Sequence, residues 1–597
     1  MWRGKSVRAA AVCVAAALIG PAAAAQNAGV TAIMGATVFD ATGAAPRVAN
    51  VIIRDGRIVA VGPKARAPRG AKVIDAKGKA LLPGFFDVHT HWTPAGNPNV
   101  TPQIATAYLA SGVTTVNDFH ESPESWAVRR RWLGMLATPH VNMTARMSTP
   151  GGHGADWADV NTTKWVNTPE AARAAVRELI RYKPDLIKAF ADGWRYGTAP
   201  DNTSMDQGTL SALVEEAHKN GLKVATHTVT VERGRVAGRA KVDIIAHSLQ
   251  DREIDAETIA IIKAGGTNYA PTLAVYEPVK PGQKPPEDLD SPRYKQSVRK
   301  FGYALHNVKA LHDAGVRVVL GTDAGMPGTV HGPSTLREME LLVRAGLTPA
   351  EALIAGTADS ARAMGEIDDR GTIEPGKRAD LVLVDGAPWA EISDIRRTQR
   401  VFLDGRQVFG PGTVLPPANA ERSMPAVPAK ALVDDFERAD GRTSLDTLRT
   451  DDMDGGIDRT VQVSQVIDRA GGGKALGLFA KMAVKDDARA GVILPLTRGS
   501  VEPVDVRAFK GVRLEVRGDG GEYELMVNTL NGRWASGFKA AAGWSTVEIP
   551  FAELKRAAGR GASTAPWSGT DLVEVEVAGS RDGGRKLWLE VDNVTFY

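Results

Sequence analysis

Short apolar runs recur between residues 81 and 323, and each carries at least one polar side chain at or near its end. The first run holds Phe85, Phe86 and Val88 and leads into His89 and His91, which an extended strand would place on one face. The later runs carry Lys188 at 185–190, His227 at 223–227, His247 at 243–248 and Asp323 at 316–323. The pattern predicts five buried strands that together carry six polar side chains.

Helical patterns separate these predicted strands, as at residues 211–221 and 255–265. Strands that alternate with helices predict βαβ units and a parallel sheet. In a barrel built from eight such units, the carboxyl ends of different strands converge on one site. We therefore expect an α/β fold with a (β/α)8 TIM-like barrel in which the six polar side chains meet.

Short strands with a different spacing flank the predicted barrel on both sides. They lie at residues 36–39, 51–62 and 72–75 before the barrel and at 380–384 and 401–409 after it. Asp55-Gly56 is typical of a hairpin turn between two strands. We expect residues 26–82 and 373–410 to build one small β-sandwich beside a barrel of residues 83–372.

The motifs resemble those of the amidohydrolase superfamily, in the branch of imidazolonepropionase-like enzymes and metal-dependent dipeptidases. The resemblance runs from about residue 32 to residue 409. It rests on the strands above and on the segments 83–91 (PGFFDVHTH), 321–325 (GTDAG), 347–353 (LTPAEAL) and 371–381 (GTIEPGKRADL). It implies a metal-dependent hydrolase that acts on carbon–nitrogen bonds.

The resemblance also implies two divalent metal ions, expected to be zinc. One ion would be held by His89, His91 and Asp323, and the other by His227 and His247. A protonated lysine only donates hydrogen bonds, so the resemblance implies that Lys188 is carboxylated and that its carbamate bridges both ions. Asp192, although nearby, is not expected to replace it on the inward face. The ions would share a hydroxide as nucleophile, and Asp323 would pass its proton to the leaving nitrogen.

Three more side chains are interpreted as substrate contacts. His153 lies in a glycine-rich loop that resembles the Gly-Gly-His loop of the dipeptidase branch, which lies near the substrate there. Tyr276 is expected near the end of the sixth strand, where it would line the pocket. His331 follows the Asp323 strand in a loop of glycine and proline, facing either the substrate or the metal ligands.

The expected substrate is an amide, such as a dipeptide or an N-acyl amino acid. Many relatives place an aromatic residue or histidine two positions after the fifth-strand histidine, whereas His227 is followed by Thr228 and Val229. This departure argues against a dipeptide-carboxylate mode of binding, but not against hydrolysis. A lactonase or esterase with the same hydroxide is the alternative enzyme. A non-catalytic envelope- or carbohydrate-binding protein is the other alternative, and the complete ligand set argues against it.

The first 25 residues are typical of a secretory signal peptide, which predicts a periplasmic or secreted protein. Arg3, Lys5 and Arg8 precede an apolar run at residues 9–19, and four alanines follow at 22–25. The run is too short for a spanning helix, so stable membrane insertion is not expected. The single cysteine, Cys13, lies inside this run, so the mature chain would contain no disulfide and no thiolate ligand.

The net charge of the chain limits the classes of binding partner that we expect. The whole chain has a net charge of +4, and removing the three positive charges of the signal peptide leaves +1. No basic block remains, so neither nucleic acid nor a lipid surface is expected as a partner. The predicted partner is a small-molecule amide or peptide substrate, and the sequence leaves homo-oligomerisation open.

The last part of the chain predicts a separate β-sandwich. Residues 411–431 are rich in proline and alanine, which is typical of a linker, and residues 432–597 alternate short strands with turns. This region resembles the jelly roll of complex I intermediate-associated proteins and of carbohydrate-binding modules, and the resemblance implies carbohydrate as a candidate ligand. Trp534, Trp544 and Trp567 are interpreted as core rather than as a sugar platform. We expect an accessory module; the alternative is that it packs over the barrel mouth and completes the pocket.

Overall fold

The computed structural model describes residues 29–92, 97–154, 163–192, 203–413, 422–454, 459–557 and 565–597. The predicted signal peptide, and residues 414–421 of the predicted linker, lie outside these described residues. The described chain opens with β1 (Thr31–Val38), β2 (Arg47–Arg54), β3 (Arg57–Gly62), β4 (Lys72–Asp75) and β5 (Lys79–Pro83). As predicted, Asp55 and Gly56 join β2 to β3 in a tight turn, with φ of 51° and 77°.

The barrel strands follow in chain order. They are β6 (Phe85–Thr90), β7 (Val113–Asp118), β8 (His140–Ser148), β9 (Thr163–Trp165), β10 (Leu186–Phe190), β11 (Lys223–His227), β12 (Ile244–Ala246) and β13 (Asn268–Ala270). Seven of them pair in parallel in the order β6-β7-β8-β10-β11-β12-β13, and β9 pairs with β8 outside this path. Leu81 and Leu82 belong to β5, so the predicted apolar run is two strands separated by Gly84.

The barrel closes through residues 316–324, where the sequence predicts a strand. The backbone of this segment bonds β13 on one side, with Tyr269 N donating to Arg317 O and Val319 N donating to Tyr269 O. On the other side, Val88 N donates to Leu320 O. The segment forms only isolated bridges, and the chain leaves the extended conformation at Asp323, whose φ is 63°. This segment fills the eighth strand position of the barrel, which confirms the predicted (β/α)8 fold.

Helices surround the barrel and connect its strands. They are α1 (Thr101–Ala110), α2 (Trp126–Leu133), α3 (Pro169–Leu179), α4 (Gln207–Lys219), α5 (Val231–Arg239), α6 (Ala256–Gly265), α7 (Leu273–Tyr276), α8 (Pro292–Asp313), α9 (Pro333–Arg344), α10 (Pro349–Ile354) and α11 (Ser360–Met364). The side chains of Thr168, Asp206, Thr230 and Asp255 cap α3 to α6, each accepting a backbone N–H of the first turn. These caps explain why the helical patterns begin where they do.

After the barrel the chain returns to the first sheet. The returning strands are β14 (Leu381–Asp385), β15 (Thr398–Leu403) and β16 (Arg406–Phe409). The sheet has the order β16-β15-β14-β5-β1-β2-β3, with β4 on β1, and it encloses an apolar core of its own. Both ends of the catalytic unit therefore build one flanking β-structure, as predicted.

The C-terminal region is a two-sheet sandwich around a separate core. Its strands are β17 (Val427–Pro428), β18 (Leu432–Asp434), β19 (Thr450–Met453), β20 (Val461–Asp468), β21 (Lys474–Lys481), β22 (Ala490–Pro495), β23 (Val504–Asp505), β24 (Gly511–Gly518), β25 (Glu522–Thr529), β26 (Gly532–Lys539), β27 (Ser545–Pro550), β28 (Lys555–Arg556), β29 (Leu572–Gly579) and β30 (Lys586–Phe596). The predicted linker reaches too far, because β17 already pairs with β23. Among the described residues, no helix is both long and apolar enough to span a membrane.

The three tryptophans each pack against other side chains of the sandwich. Trp534 and Trp567 meet edge to face, with ring centroids 5.6 Å apart, and both border the apolar core. Trp544 lies beneath the guanidinium of Arg469, 4.2 Å from the ring centroid. All three rings are half-buried in the structure.

The sandwich packs directly on the barrel at α2. Val128 and Trp132 of α2 form an apolar cluster with Met424 and Val501. Beside this cluster, Arg442 of the sandwich donates to both carboxylate oxygens of Glu124, and both side chains are largely buried. The contact is a packed interface with a buried ion pair at its edge.

Candidate metal centre

A cavity of about 270 Å³ lies at the carboxyl ends of the barrel strands and collects the predicted ligands. Its lining includes all six of them, together with two of the three predicted substrate contacts: His89, His91, Lys188, His227, His247, Asp323, His153 and Tyr276. All six predicted ligands are buried. The convergence predicted from the strand pattern is therefore present in the fold.

Strand β6 and the closing segment supply one side of the cavity. Oδ1 of Asp323 lies 3.3 Å from Nε2 of His89 and 3.0 Å from Nε2 of His91. The backbone N–H of Asp323 donates to the carbonyl of His89, at 2.8 Å, which fixes the carboxylate beside the two rings. His91 Nδ1 is buried and has no hydrogen-bond partner in the described part of the chain.

The ends of β11 and β12 supply the other side. The rings of His227 and His247 lie 4.0 Å apart between centroids, and Nδ1 of His247 is 3.0 Å from the hydroxyl of Thr272. His247 and Thr272 both have positive φ, of 81° and 47°, as has Asp323. Non-glycine residues adopt this conformation at a cost and tend to cluster at functional sites. Three of them gather around this cavity.

Lys188 lies between the two sides. Its Nζ is 3.4 Å from Nε2 and 3.5 Å from Nδ1 of His89, and it stands 4.5 Å from the centroid of Phe119. Burial lowers the pKa of Lys188 to about 7, although the negative charges of Asp323 and Asp192 act to raise it. The amine therefore lies where a group extending from it would reach both sides of the cavity.

The electrostatics of the side chains suit a cation. Burial lowers the pKa of His89 to about 3, and it lowers the pKa of His227 and His247 well below the ordinary value. These imidazoles are neutral and keep their lone pairs. Burial alone would raise the pKa of Asp323, but hydrogen bonds from His89 and His91 outweigh it and hold that pKa well below the usual range. Neutral imidazoles and an ionised carboxylate are the donor set of divalent ions such as zinc.

Asp192 is a residue of the site that the sequence reasoning missed. It was not expected on the inward face, yet its Oδ2 lies 2.7 Å from Nδ1 of His153 and 3.5 Å from Nε2 of His227. The signal was present, because Lys188 and Phe190 share a face of β10 and Asp192, two positions past the strand end, continues the same alternation. His153, Asp192 and His227 have the spacing of a metal-binding group, as have His89, His247 and Asp323.

The predicted substrate contacts divide into two groups. His153 and Tyr276 line the cavity, and the Tyr276 ring lies 6.0 Å from that of His247. His331 does not line this cavity; its Nδ1 is 3.0 Å from the hydroxyl of Tyr108, in a neighbouring cavity. The sequence reasoning also missed Arg146, a buried cavity residue of β8 that lies opposite Lys188 in register.

Comparison with known families decides the assignment. A family model described as "Amidohydrolase family" matches residues 80–408, which is more than half of the chain. The chain belongs to the amidohydrolase family. A second model, for complex I intermediate-associated protein 30 (CIA30), matches residues 445–580. Both resemblances seen in the sequence are thereby confirmed.

Individual relatives support the same assignment. Imidazolonepropionase of Deinococcus radiodurans is 28% identical over 399 residues, covering 60% of this chain and 92% of the relative. Ochratoxinase of Aspergillus niger is 25% identical over 434 residues, covering 65% and 88%. The crystal structure of a Xaa-Pro dipeptidase with methionine in its active site is 25% identical, with a TM-score of 0.55, covering 64% of this chain and all of that one. The chain is a metal-dependent hydrolase of carbon–nitrogen bonds in small molecules.

Proposed function

We propose that the chain is a binuclear metal-dependent amidohydrolase that cleaves the amide bond of a dipeptide or of an N-acyl amino acid. The observation that carries this proposal is the meeting of six nitrogen and oxygen side chains, from five strand ends, in one buried cavity. The similarity to a Xaa-Pro dipeptidase supports a substrate with a peptide-like amide.

The proposed ligand sets follow the two sides of the cavity. His89, His91 and Asp323 hold one ion, and His227 and His247 hold the other. In carbamate form, Lys188 would be a ligand of both ions. Zinc is the proposed metal because the donors are imidazole and carboxylate groups. When bound, two such ions lower the pKa of a shared water and polarise the scissile carbonyl.

Asp323 is the proposed proton carrier. Both imidazoles contact Oδ1 of its carboxylate, which leaves Oδ2 able to accept a proton. The low pKa of Asp323 keeps the group ionised before the reaction. It takes the proton from the attacking water and delivers it to the leaving nitrogen.

His153 and Tyr276 are the proposed substrate contacts in this cavity. The carboxylate of Asp192 holds Nδ1 of His153 and so fixes the orientation of the ring in the cavity. The rings of Phe119 and Phe190 also line the cavity and limit the access of bulk water. The polar groups orient the amide, and the rings exclude competing solvent.

The remaining parts of the chain take proposed roles outside the chemistry. The signal-peptide pattern of residues 1–25 supports export to the periplasm or beyond. All six proposed metal ligands precede residue 324, which supports an accessory role for the C-terminal sandwich.

The deciding experiment is a panel of dipeptides, N-acyl amino acids and lactones, assayed with zinc and bicarbonate. Metal analysis of the same protein should give about two ions per chain. Turnover of amides with two ions bound is the expected result. Turnover of lactones alone would favour the esterase alternative. A chain that binds no metal and turns over none of the panel would overturn the proposal.

A further inference from the structure

A second cavity, of about 490 Å³, adjoins the metal centre. Its walls come from α1 and from the segment that follows Asp323: Trp92, Asn97, Val100, Gln103, Ile104, Ala107, Gly325, Met326, Gly328, Thr329, Val330 and His331. Met326 lines both cavities. Trp92 directly follows the predicted ligand His91. The second cavity therefore begins one side chain away from the reacting groups.

The wall and rim of this cavity are largely apolar. Ile104, Ala107 and Met326 contribute apolar side chains to the wall. At the rim, Val100 and Val330 keep 41% and 58% of their surface exposed, which places them among the large exposed apolar residues of the protein. Exposed apolar side chains grouped around a concavity are typical of a ligand-binding groove.

A few polar atoms in the wall lack partners. Trp92 Nε1 and Thr329 Oγ1 are buried and have no hydrogen-bond partner among the described residues. Such groups cost folding free energy unless something else satisfies them. A ligand with a polar atom inside an apolar group would remove that cost.

His331 adds a donor to the same wall. Burial raises the pKa of Tyr108 well above its ordinary value and lowers the pKa of His331 to about 4, so both groups are neutral near pH 7. The Tyr108 hydroxyl lies 3.0 Å from Nδ1 of His331, and we assign the hydroxyl as the donor of this hydrogen bond, which places the proton of the neutral ring on Nε2. An Nε2–H donor is therefore available for an acceptor atom.

The cavity is built into the fold. The start of α9 approaches α1 so closely that a Cβ on Gly332 would lie 2.3 Å from the carbonyl oxygen of Ala107. Asn97 in the wall donates from Nδ2 to the carbonyl of Leu530 in the C-terminal sandwich, at 2.9 Å. Asn99 accepts from the backbone N–H of Met424 at the same distance. Contacts from two parts of the chain fix the wall.

We propose that the second cavity is a substrate subsite for an apolar, preferably aryl, group that carries a hydrogen-bond acceptor and is attached to the scissile amide. This inference rests on the proposed amide hydrolysis. Together the two cavities reach the volume of sites that enclose drug-sized ligands. The preferred substrate therefore has one bulky arm, and acetylated or glycine-only substrates are poor.

The test uses the full-length zinc-loaded protein and two series of substrates. N-Acetylglycine is the small reference, and the extended substrates carry a 3-(4-methoxyphenyl)propanoyl group on the acyl side or O-methyltyrosine on the amine side. Ala107→Phe fills the cavity and should lower the ratio of kcat/KM for extended over small substrates by about tenfold or more. Ala264→Phe, the same change at an exposed position of α6, is the control and should leave the ratio unchanged. An unchanged ratio in folded, metal-loaded Ala107→Phe overturns the subsite.

Removal of the donor gives a second readout. His331→Leu should lower the preference for the methoxyphenyl over the plain phenyl substrate by about fivefold to tenfold, and His331→Gln should restore it through its amide N–H. Equal preferences in all three proteins contradict the role of the donor.

Direct binding separates this proposal from the proposed function. If the wild type hydrolyses none of the amides, binding of 3-(4-methoxyphenyl)propanoate is measured calorimetrically. Binding that Ala107→Phe abolishes and Ala264→Phe retains supports the subsite even when amide hydrolysis fails. No binding to the wild type overturns the subsite.

Discussion

Asp192 and His153 form a buried pair, with Oδ2 of the carboxylate 2.7 Å from Nδ1 of the ring. The side chains are only 2% and 3% exposed. The pair connects the end of β10 to the loop after β8. Because the carboxylate holds Nδ1, it sets the orientation of the ring in the cavity.

Replacing Asp192 should therefore act through His153. We expect Asp192→Ala to lower kcat/KM by about 10- to 100-fold, as for partners that orient functional imidazoles. His153→Ala should have a similar effect, and the double variant should be little worse than either one. Additive effects would show that the residues act independently. Loss of one ion in Asp192→Ala would instead place Asp192 among the groups that support His227.

Lys188 is expected to be essential for metal binding. Lys188→Ala should lose at least the bridged pair of ions and nearly all activity, because no carbamate can form. Lys223→Ala is the matched control, since Lys223 also lies on a barrel strand but pairs with Asp243. Metal content is measured by mass spectrometry. Full occupancy and full turnover in Lys188→Ala would rule out the carbamate.

Asp323 should combine a ligand role with a proton-transfer role. Asp323→Asn keeps the shape of the side chain but cannot carry the proton. We expect kcat to fall by about 10²- to 10⁴-fold while much of the metal remains bound. Steady-state kinetics and metal analysis on the same sample check this. A near-normal kcat with both ions bound would remove Asp323 from the proton transfer.

Glu338 should make stability depend on pH. Its buried carboxylate accepts the backbone N–H groups of Leu273 and Ala274, and burial raises its pKa from 4.5 to about 8. The folded protein therefore keeps a proton that the unfolded chain loses above pH 4.5. The stabilising contribution is complete below pH 4.5 and is lost as the pH rises through about 8.

Glu338→Gln tests this linkage. The variant cannot ionise, so its free energy of unfolding should fall less between pH 5 and pH 8, by up to about 1.4 kcal/mol per pH unit. Urea unfolding at several pH values measures the difference. Glu340→Gln on the same helix is the control, because contacts with Arg396 and Arg337 lower the pKa of Glu340 against its burial, which leaves it ionised throughout this range. Parallel pH profiles for wild type and Glu338→Gln would contradict the assignment.

The interface at α2 changes what is expected of a truncated chain. The sequence suggests that a chain ending near Ala420 should fold, keep its metals and hydrolyse small substrates at a comparable rate. Such a chain would expose Val128 and Trp132 and leave the buried Glu124 without Arg442. We now expect truncation to lower the Tm and the solubility. An unchanged Tm would show that the interface adds no stability.

A single substitution isolates the ion pair of that interface. Arg442→Ala leaves the buried Glu124 carboxylate without its ion-pair partner, although the Tyr182 hydroxyl still donates to it. The loss should cost about 3 kcal/mol in unfolding free energy. Arg513→Ala, which breaks an exposed pair with Glu548, should cost about 1 kcal/mol at most. Denaturant unfolding compares the two variants. Equal costs would show that Glu124 is rehydrated when its partner is removed.

Much of the fold and of the candidate site can be predicted from the local pattern of apolar and polar residues. Strand periodicity places His89 and His91 on one face, and the order of apolar runs places Lys188 and His227 at neighbouring strand ends. The parallel arrangement then brings them together. Local signals suffice here because each depends on residues that are close in the sequence.

Other features depend on contacts between distant residues. The pairing of Glu124 with Arg442 and the burial of Glu338 arise where separate elements pack. The spacing of apolar residues along the sequence does not predict either of them. The position of His331 also depends on such contacts. The sequence predicted the order of the strands correctly, but it did not show that His331 lines the second cavity rather than the metal centre. The missed Asp192 is different, since the alternation from Lys188 already indicated its face.

The pairing of β5 with β14 has a consequence for the order in which the sheet beside the metal centre can be completed. Lys79 and Asp385 meet across 306 residues of chain, and only Gly84 separates β5 from β6, the strand that bears His89 and ends just before His91. A ribosome adds about 5–20 residues per second, so β14, the second neighbour of β5, appears about 15–60 seconds after it. Until β14 emerges, β5 of a nascent chain pairs only with β1, so the strand that precedes the first two predicted ligands lacks its second neighbour. We therefore expect the sheet beside the metal centre to be completed only after residue 385 has been synthesised.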